Sequence, residues 1–218
     1  MPWHPHTKIL LVLCFVGLVA FLATAMGLVS DYWLIYRLGS GTTDGGNSTN
    51  VRLASAGVWR VCYRPDALPD DGKRCHNINY LSRVQVESDD PLSQYAYPVH
   101  GNDLLLPFLI LVCVGVALVF LAEALAMVCL RKRSKMMYIS TAFVFIVAGL
   151  AGAAGLIIFS LRGAQLLSDW PSQQQGESPY EYVSFGWSFA ITWLGSALAL
   201  FNSCGYVWLA RRHLDAMM

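Results

Sequence analysis

Residues 104–135 read LLLPFLILVCVGVALVFLAEALAMVCLRKRSK. Up to Leu130 this stretch carries a single ionisable side chain, Glu123, and it then ends in Arg131, Lys132, Arg133 and Lys135. A hydrocarbon core about 30 Å thick is crossed by about 20 apolar residues in a helix, so the run is long enough to span a bilayer. Its basic end belongs at a cytoplasmic interface, where Lys and Arg crowd short loops.

Three further runs of this kind flank it, at 9–29, 136–161 and 185–210, and none contains a charged residue. The chain as a whole is 56% hydrophobic and 13% charged, where soluble domains carry about 25% charged residues. A net charge of +1 gives no global field for nucleic acid. Four spans leave connections of very unequal size: about 30–103, the basic turn 131–135, and about 162–184. Arg211 and Arg212 follow the last span, so that end is also expected in the cytoplasm. An even number of spans then places the N-terminus on the same side. The first run exceeds the 7 to 15 residues of a signal-peptide core, so it is expected to be a retained anchor.

The long loop holds two of the six cysteines, Cys62 and Cys75. It matures in an oxidising compartment, and the two are expected to pair with each other, with free thiols or an intermolecular bridge as the alternatives. Asn47-Ser48-Thr49 is an acceptor triplet for N-glycosylation on the same side. Residues 32–38 (YWLIYRL), 58–63 (VWRVCY) and 75–81 (CHNINYL) read as strands, rich in aromatic and β-branched residues and bounded by turn formers. Residues 39–50 read as a hairpin connection. The expected fold is an all-α transmembrane four-helix bundle with a small extracellular antiparallel β-sheet, in one membrane domain covering 1–218.

Few residues suggest chemistry. Glu123 is the one acid inside a span and needs a partner or a water path; snorkelling towards the basic turn or bonding to a neighbouring helix competes with a functional role. Ala148/Gly152 and Ala151/Gly155 place small residues four apart, which lets helix backbones approach, and Asn202 and Ser203 can hydrogen-bond across helices. Trp170, Tyr180, Tyr182 and Trp187 read as an interfacial aromatic belt. His4 and His6 have no further ligand at zinc-site spacing. No nucleophile–base set, carboxylate pair or phosphate loop is recognisable, so neither an enzyme nor a cofactor or metal site is expected.

Trp33, then Gly57-Val58-Trp59, then Cys62 and Cys75 resemble the W…GLW…C…C signature of the claudin, peripheral-myelin-protein and calcium-channel γ-subunit superfamily, with Val58 standing for Leu. Asp31-Tyr32-Trp33-Leu34, Trp59-Arg60-Val61-Cys62, Arg74-Cys75 and Phe185-Gly186-Trp187-Ser188-Phe189 look most like the voltage-dependent calcium-channel γ subunits and AMPA-receptor regulatory proteins, of the type without a PDZ-binding tail. The wide Trp33–Gly57 spacing, and Asn102-Asp103 where claudins have an arginine, differ from a typical claudin. The resemblance implies an auxiliary subunit at the plasma membrane that modulates the gating or trafficking of a pore-forming channel. It also gives Glu87, Asp89 and Asp90, otherwise a solvated acidic turn, a contact role towards that channel. The alternative it allows is a cell-adhesion or junction-forming protein.

Overall fold

The computed structural model describes residues 5–38, 51–65, 74–77, 105–132, 134–173 and 180–215. Among them are four long helices: α1 (Pro5–Val29), α2 (Leu105–Arg131), α3 (Lys135–Gln173) and α4 (Trp187–Asp215). Each contains a stretch long and apolar enough to cross a membrane: Thr7–Val29, Leu106–Arg131, Lys135–Leu161 and Trp187–Arg212. A backbone in hydrocarbon must satisfy its own polar groups, which a helix does along its length.

α3 runs 39 residues, well past its expected end at 161. The apolar run stops at Arg162, but Ala, Gln and Leu follow, and these favour helix in water as well. α4 likewise continues beyond 210, through Arg211 and Arg212, to Asp215.

The chain divides into two compact units. The first comprises the chain up to Met26, Pro107–Ile158 and Ile191–Met218. Its core gathers Leu10, Leu13, Val119, Phe145, Tyr206 and Leu209 around a set of alanines. Small and hydroxyl-bearing residues are buried here, Thr141, Thr192, Ser196 and Ser203 among them, while Phe15, Phe120, Phe143 and Phe201 face outwards. That inversion of the soluble pattern is what a lipid solvent asks for: the outside need not be polar, and packing inside relies on close approach. A Cβ on Gly115 of α2 would lie 3.2 Å from the Gly152 nitrogen of α3, and one on Gly152 would lie 2.5 Å from Ser196 Oγ of α4. The small residues of α3 therefore serve packing within the bundle.

The second unit comprises Gly27–Leu106 and Phe159–Ala190. It holds β1 (Leu34–Leu38), β2 (Val51–Ala56), β3 (Arg60–Pro65), β4 (Arg74–Asn77) and β5 (Tyr180–Phe185), in one antiparallel sheet of order β4-β3-β2-β1-β5. Two strands go beyond the sequence expectation. β2 was hidden because VRLASA carries few strand formers, and its pairing with β1, Leu34 opposite Ala56, supplies the stabilisation its own residues lack. β5 contains Tyr180 and Tyr182, which read as a membrane belt but are strand residues opposite Leu38 and Arg37. The strand expected at 58–63 starts at Arg60, because Gly57 N–H bonds to the Arg60 carbonyl (2.8 Å) and turns the chain first. The strand expected at 75–81 is described as Arg74–Asn77.

Candidate functional site

α1 ends at Val29, and the last four carbonyls of a helix have no partner within it. Two indoles fill that role. Trp33 Nε1–H donates to the Gly27 carbonyl (2.7 Å) and Trp59 Nε1–H donates to the Leu28 carbonyl (2.9 Å). Trp33 is completely buried, and its backbone is clamped on both sides: its N–H bonds to the Ala56 carbonyl (2.9 Å) and its carbonyl accepts from Gly186 N–H (2.8 Å). Phe159 meets the Trp33 ring edge-on with centroids 5.1 Å apart, and Phe189 lies at 6.4 Å. These geometries are favoured for aromatic pairs.

Gly57 makes the second indole's approach possible. A Cβ there would sit 2.6 Å from Asp31 Cα and 2.9 Å from the Ser30 carbonyl, so any larger residue would push the β2–β3 turn away from the helix end. Val58 beside it is buried, while Trp59 is 42% exposed. Gly186 is subject to the same constraint, because a Cβ there would collide with the Tyr32 carbonyl.

Asp31 closes the arrangement. Its carboxylate takes both contacts of Arg60 Nε, 2.8 Å to Oδ1 and 2.7 Å to Oδ2. The Asp31 side chain is 10% exposed and that of Arg60 51% exposed. Asp31, by hydrogen bond and by charge, raises the Arg60 guanidinium above its ordinary value. Two residues on, Cys62 pairs with Cys75 across β3 and β4, their Cα atoms 4.1 Å apart, and the two form a disulfide.

Trp33, Gly57, Val58 and Trp59 thus converge on one helix end, with the Cys62–Cys75 bond fixing the strand that leaves it. Sequence reasoning quoted Asp31, Arg60 and Gly186 only as part of the stretches that carry the resemblance, and gave them no role in the fold. An acid two residues past the end of an apolar span, and a cation directly after the second tryptophan, were the available signals. The arrangement positions backbone and offers no nucleophile with a base; among the described residues no three potential ligands cluster to hold a metal ion. Asn47, Glu87, Asp89 and Asp90 lie outside the described residues.

Inside the bundle, Glu123 behaves differently from a snorkelling acid. Its Oε2 is buried and points to Gly17 of α1, where Asn202 Nδ2 of α4 also arrives, 3.0 Å from the position a Gly17 Cβ would take. Glu123 Oε2 and both Asn202 side-chain atoms lack hydrogen-bond partners. Burial against small Gly17 draws the carboxyl inwards rather than to the basic turn. Ser203 Oγ–H bonds back to the Leu200 carbonyl of its own helix (2.6 Å), so it adds no link across helices.

Four apolar helices, a five-stranded antiparallel sheet and a tryptophan-capped first helix define a claudin-like multi-pass membrane protein, and the chain belongs to the family described as PMP-22/EMP/MP20/Claudin tight junction, whose model matches residues 18–206. Within that family it is similar to the voltage-dependent calcium channel gamma-4 subunit of Homo sapiens, at 25% identity over 189 residues. The match covers 78% of this chain and 51% of that protein, so the chain spans about half the length of the relative it matches.

Proposed function

We propose that this chain is an auxiliary subunit that modulates the gating or trafficking of a voltage-gated calcium channel or an AMPA-type glutamate receptor. The observation that carries this reading is the similarity to a calcium-channel gamma subunit along most of the chain. The bundle itself offers apolar surface for action by contact. A void lined by Thr24, Gly115, Gly152 and Ser196, among others, holds about 10 Å³, at the lower limit for a single water. Its outer faces, by contrast, offer Phe15, Ile110, Phe120 and Leu150 to lipid or to another membrane protein. A subunit of this kind shifts a channel's equilibrium only by contacting one state more favourably than another. Docking through helix faces and biasing an extracellular state through the sheet would supply such a difference.

The same reading places the protein in the plasma membrane, with both termini and the 131–135 turn cytoplasmic, the long loop outside, and Asn47 available for glycosylation. Glu87, Asp89 and Asp90 are its acidic contact residues. Co-purification of a pore-forming subunit with the full chain, together with altered currents on co-expression, is the expected result. A tag inserted after Asn50 should be reached from outside intact cells, and tags at Lys132 or at the C-terminus should not.

The family description favours a second reading, a junction-forming adhesion protein. Strands forming between transfected cells that lack junctions, with no current altered in either channel class, would transfer the assignment to that role.

A further inference from the structure

At the basic end of the bundle, α3 and α4 enclose an open groove of about 330 Å³. An enclosed cavity of about 150 Å³ is enough to take up a benzene ring. Lys135, Ile139, Ala142, Phe143 and Ile146 line it from α3, and Val207, Ala210 and Arg211 from α4. The α3 residues follow the three-and-four spacing of one helix face. Ala142 and Ala210 are buried and small, so they form a floor, while exposed Ile139, Phe143 and Val207 stand as walls. From Lys135 to Ile146 the face is about 16 Å long at 1.5 Å per residue, close to the depth of one leaflet, half of a core about 30 Å thick.

The groove is apolar along its length and cationic at one end, with no carboxylate among the described residues that line it. Lys135 also opens α3, whose first-turn N–H groups lack helical partners and add positive potential. Arg212 is engaged elsewhere, its guanidinium 4.4 Å from the centre of the Trp208 ring. We propose that this groove binds an anionic phospholipid, with the phosphate held by Lys135 and Arg211 and an acyl chain lying against Ile139, Phe143, Ile146 and Val207. An apolar helix of a partner protein would cover the walls but bring no anion to Lys135 and Arg211, which is why the occupant is an amphiphile with an anionic head.

The test is lipid titration of the full chain in a neutral detergent, read by native mass spectrometry, with phosphatidylglycerol and with phosphatidylcholine of identical acyl chains. Wild type should retain the anionic lipid preferentially. A basic residue near a charged headgroup contributes roughly fivefold, the factor corresponding to ~1 kcal/mol. Lys135→Gln with Arg211→Gln should therefore lower phosphatidylglycerol binding roughly 30-fold, to the level of phosphatidylcholine. Arg131→Gln with Lys132→Gln removes as much charge without touching the groove and should keep most of the preference. Ile139→Trp fills the groove from its exposed wall and should weaken both lipids; Phe143→Ala, which removes a wall without adding bulk, should also weaken both. Equal binding of the two lipids by wild type would overturn the proposal, as would an equal loss from the Arg131/Lys132 pair. So would binding indifferent to both Ile139→Trp and Phe143→Ala, or a co-purifying membrane protein, rather than lipid, displaced by these changes.

Discussion

Replacing each capping tryptophan by phenylalanine removes one indole N–H and keeps an aromatic ring, yet the two changes should differ in cost. At Trp33 the partner carbonyl of Gly27 sits under a fully buried side chain. Removing its donor strands a desolvated acceptor, which costs about 1 to 3 kcal/mol, and the smaller ring leaves a void against Phe159 that adds to this. Trp59 as a residue is 42% exposed, so water can replace the lost donor at Leu28 and the net cost falls towards about 0.5 kcal/mol. For a chain of this size, 1 kcal/mol corresponds to about 2 to 4 °C in Tm. Trp33→Phe should lower the apparent Tm by roughly 5 to 10 °C, and Trp59→Phe by about 1 to 2 °C. The assay is thermal unfolding in detergent, followed by the labelling of Cys14 and Cys129, which are buried in the fold. Scans at one fixed rate are compared, since membrane-protein unfolding is often irreversible and its Tm depends on rate. A Trp59→Phe shift equal to or larger than that of Trp33→Phe would refute burial as the source of the difference, and with it the distinct roles given to the two indoles.

Cys62→Ala and Cys75→Ala should each reduce surface delivery, with the double variant no worse than either single, because removing a disulfide from a small domain costs about 2 to 5 kcal/mol; quantitative surface labelling decides it. Arg60→Gln should destabilise more than Asp31→Asn, since the first leaves a buried carboxylate unpaired while the second returns an exposed guanidinium to solvent. Combining them should recover stability to the level of Asp31→Asn in the same thermal assay. Changing Glu87 to Gln and Asp89 and Asp90 to Asn should leave surface expression normal and weaken channel modulation, most clearly at low ionic strength, because exposed pairs are screened over about 8 Å at physiological salt; current recordings with each pore subunit measure it.

The four spans were legible because an unbroken apolar run is a compositional signal that does not depend on tertiary context, and the Cys62–Cys75 pairing because the loop between the first two spans holds just these two cysteines. β2 and β5 were not legible. Residues 51–56 become a strand by lying between β1 and β3, and residues 180–185 by pairing with β1, a partner far away in sequence. Period and propensity within a short window cannot report either. At the candidate site, the tryptophans and Gly57 were visible as a motif, but their task, supplying donors to the end of α1, was not. The relevant acceptors are the backbone carbonyls of Gly27 and Leu28, which carry no side-chain signature. Glu123 was visible as an anomaly, and its direction was not, because the helix carrying it shows nothing of the gap left by Gly17 on another helix.

β1 bonds on one side to β2, from its own loop, and on the other to β5, which is reached only after two further helices. The sheet module is therefore discontinuous in the sequence, and exchange between relatives has to respect that. A chimaera that transplants residues 30–103 alone would set Leu34 to Leu38 against a foreign strand, whose side chains need not match the register that opposes Leu34 to Phe185 and Tyr36 to Val183. Moving 180–185 with it keeps the module whole, so specificity mapped by swapping one loop at a time would attribute to the first loop a defect that belongs to a broken seam.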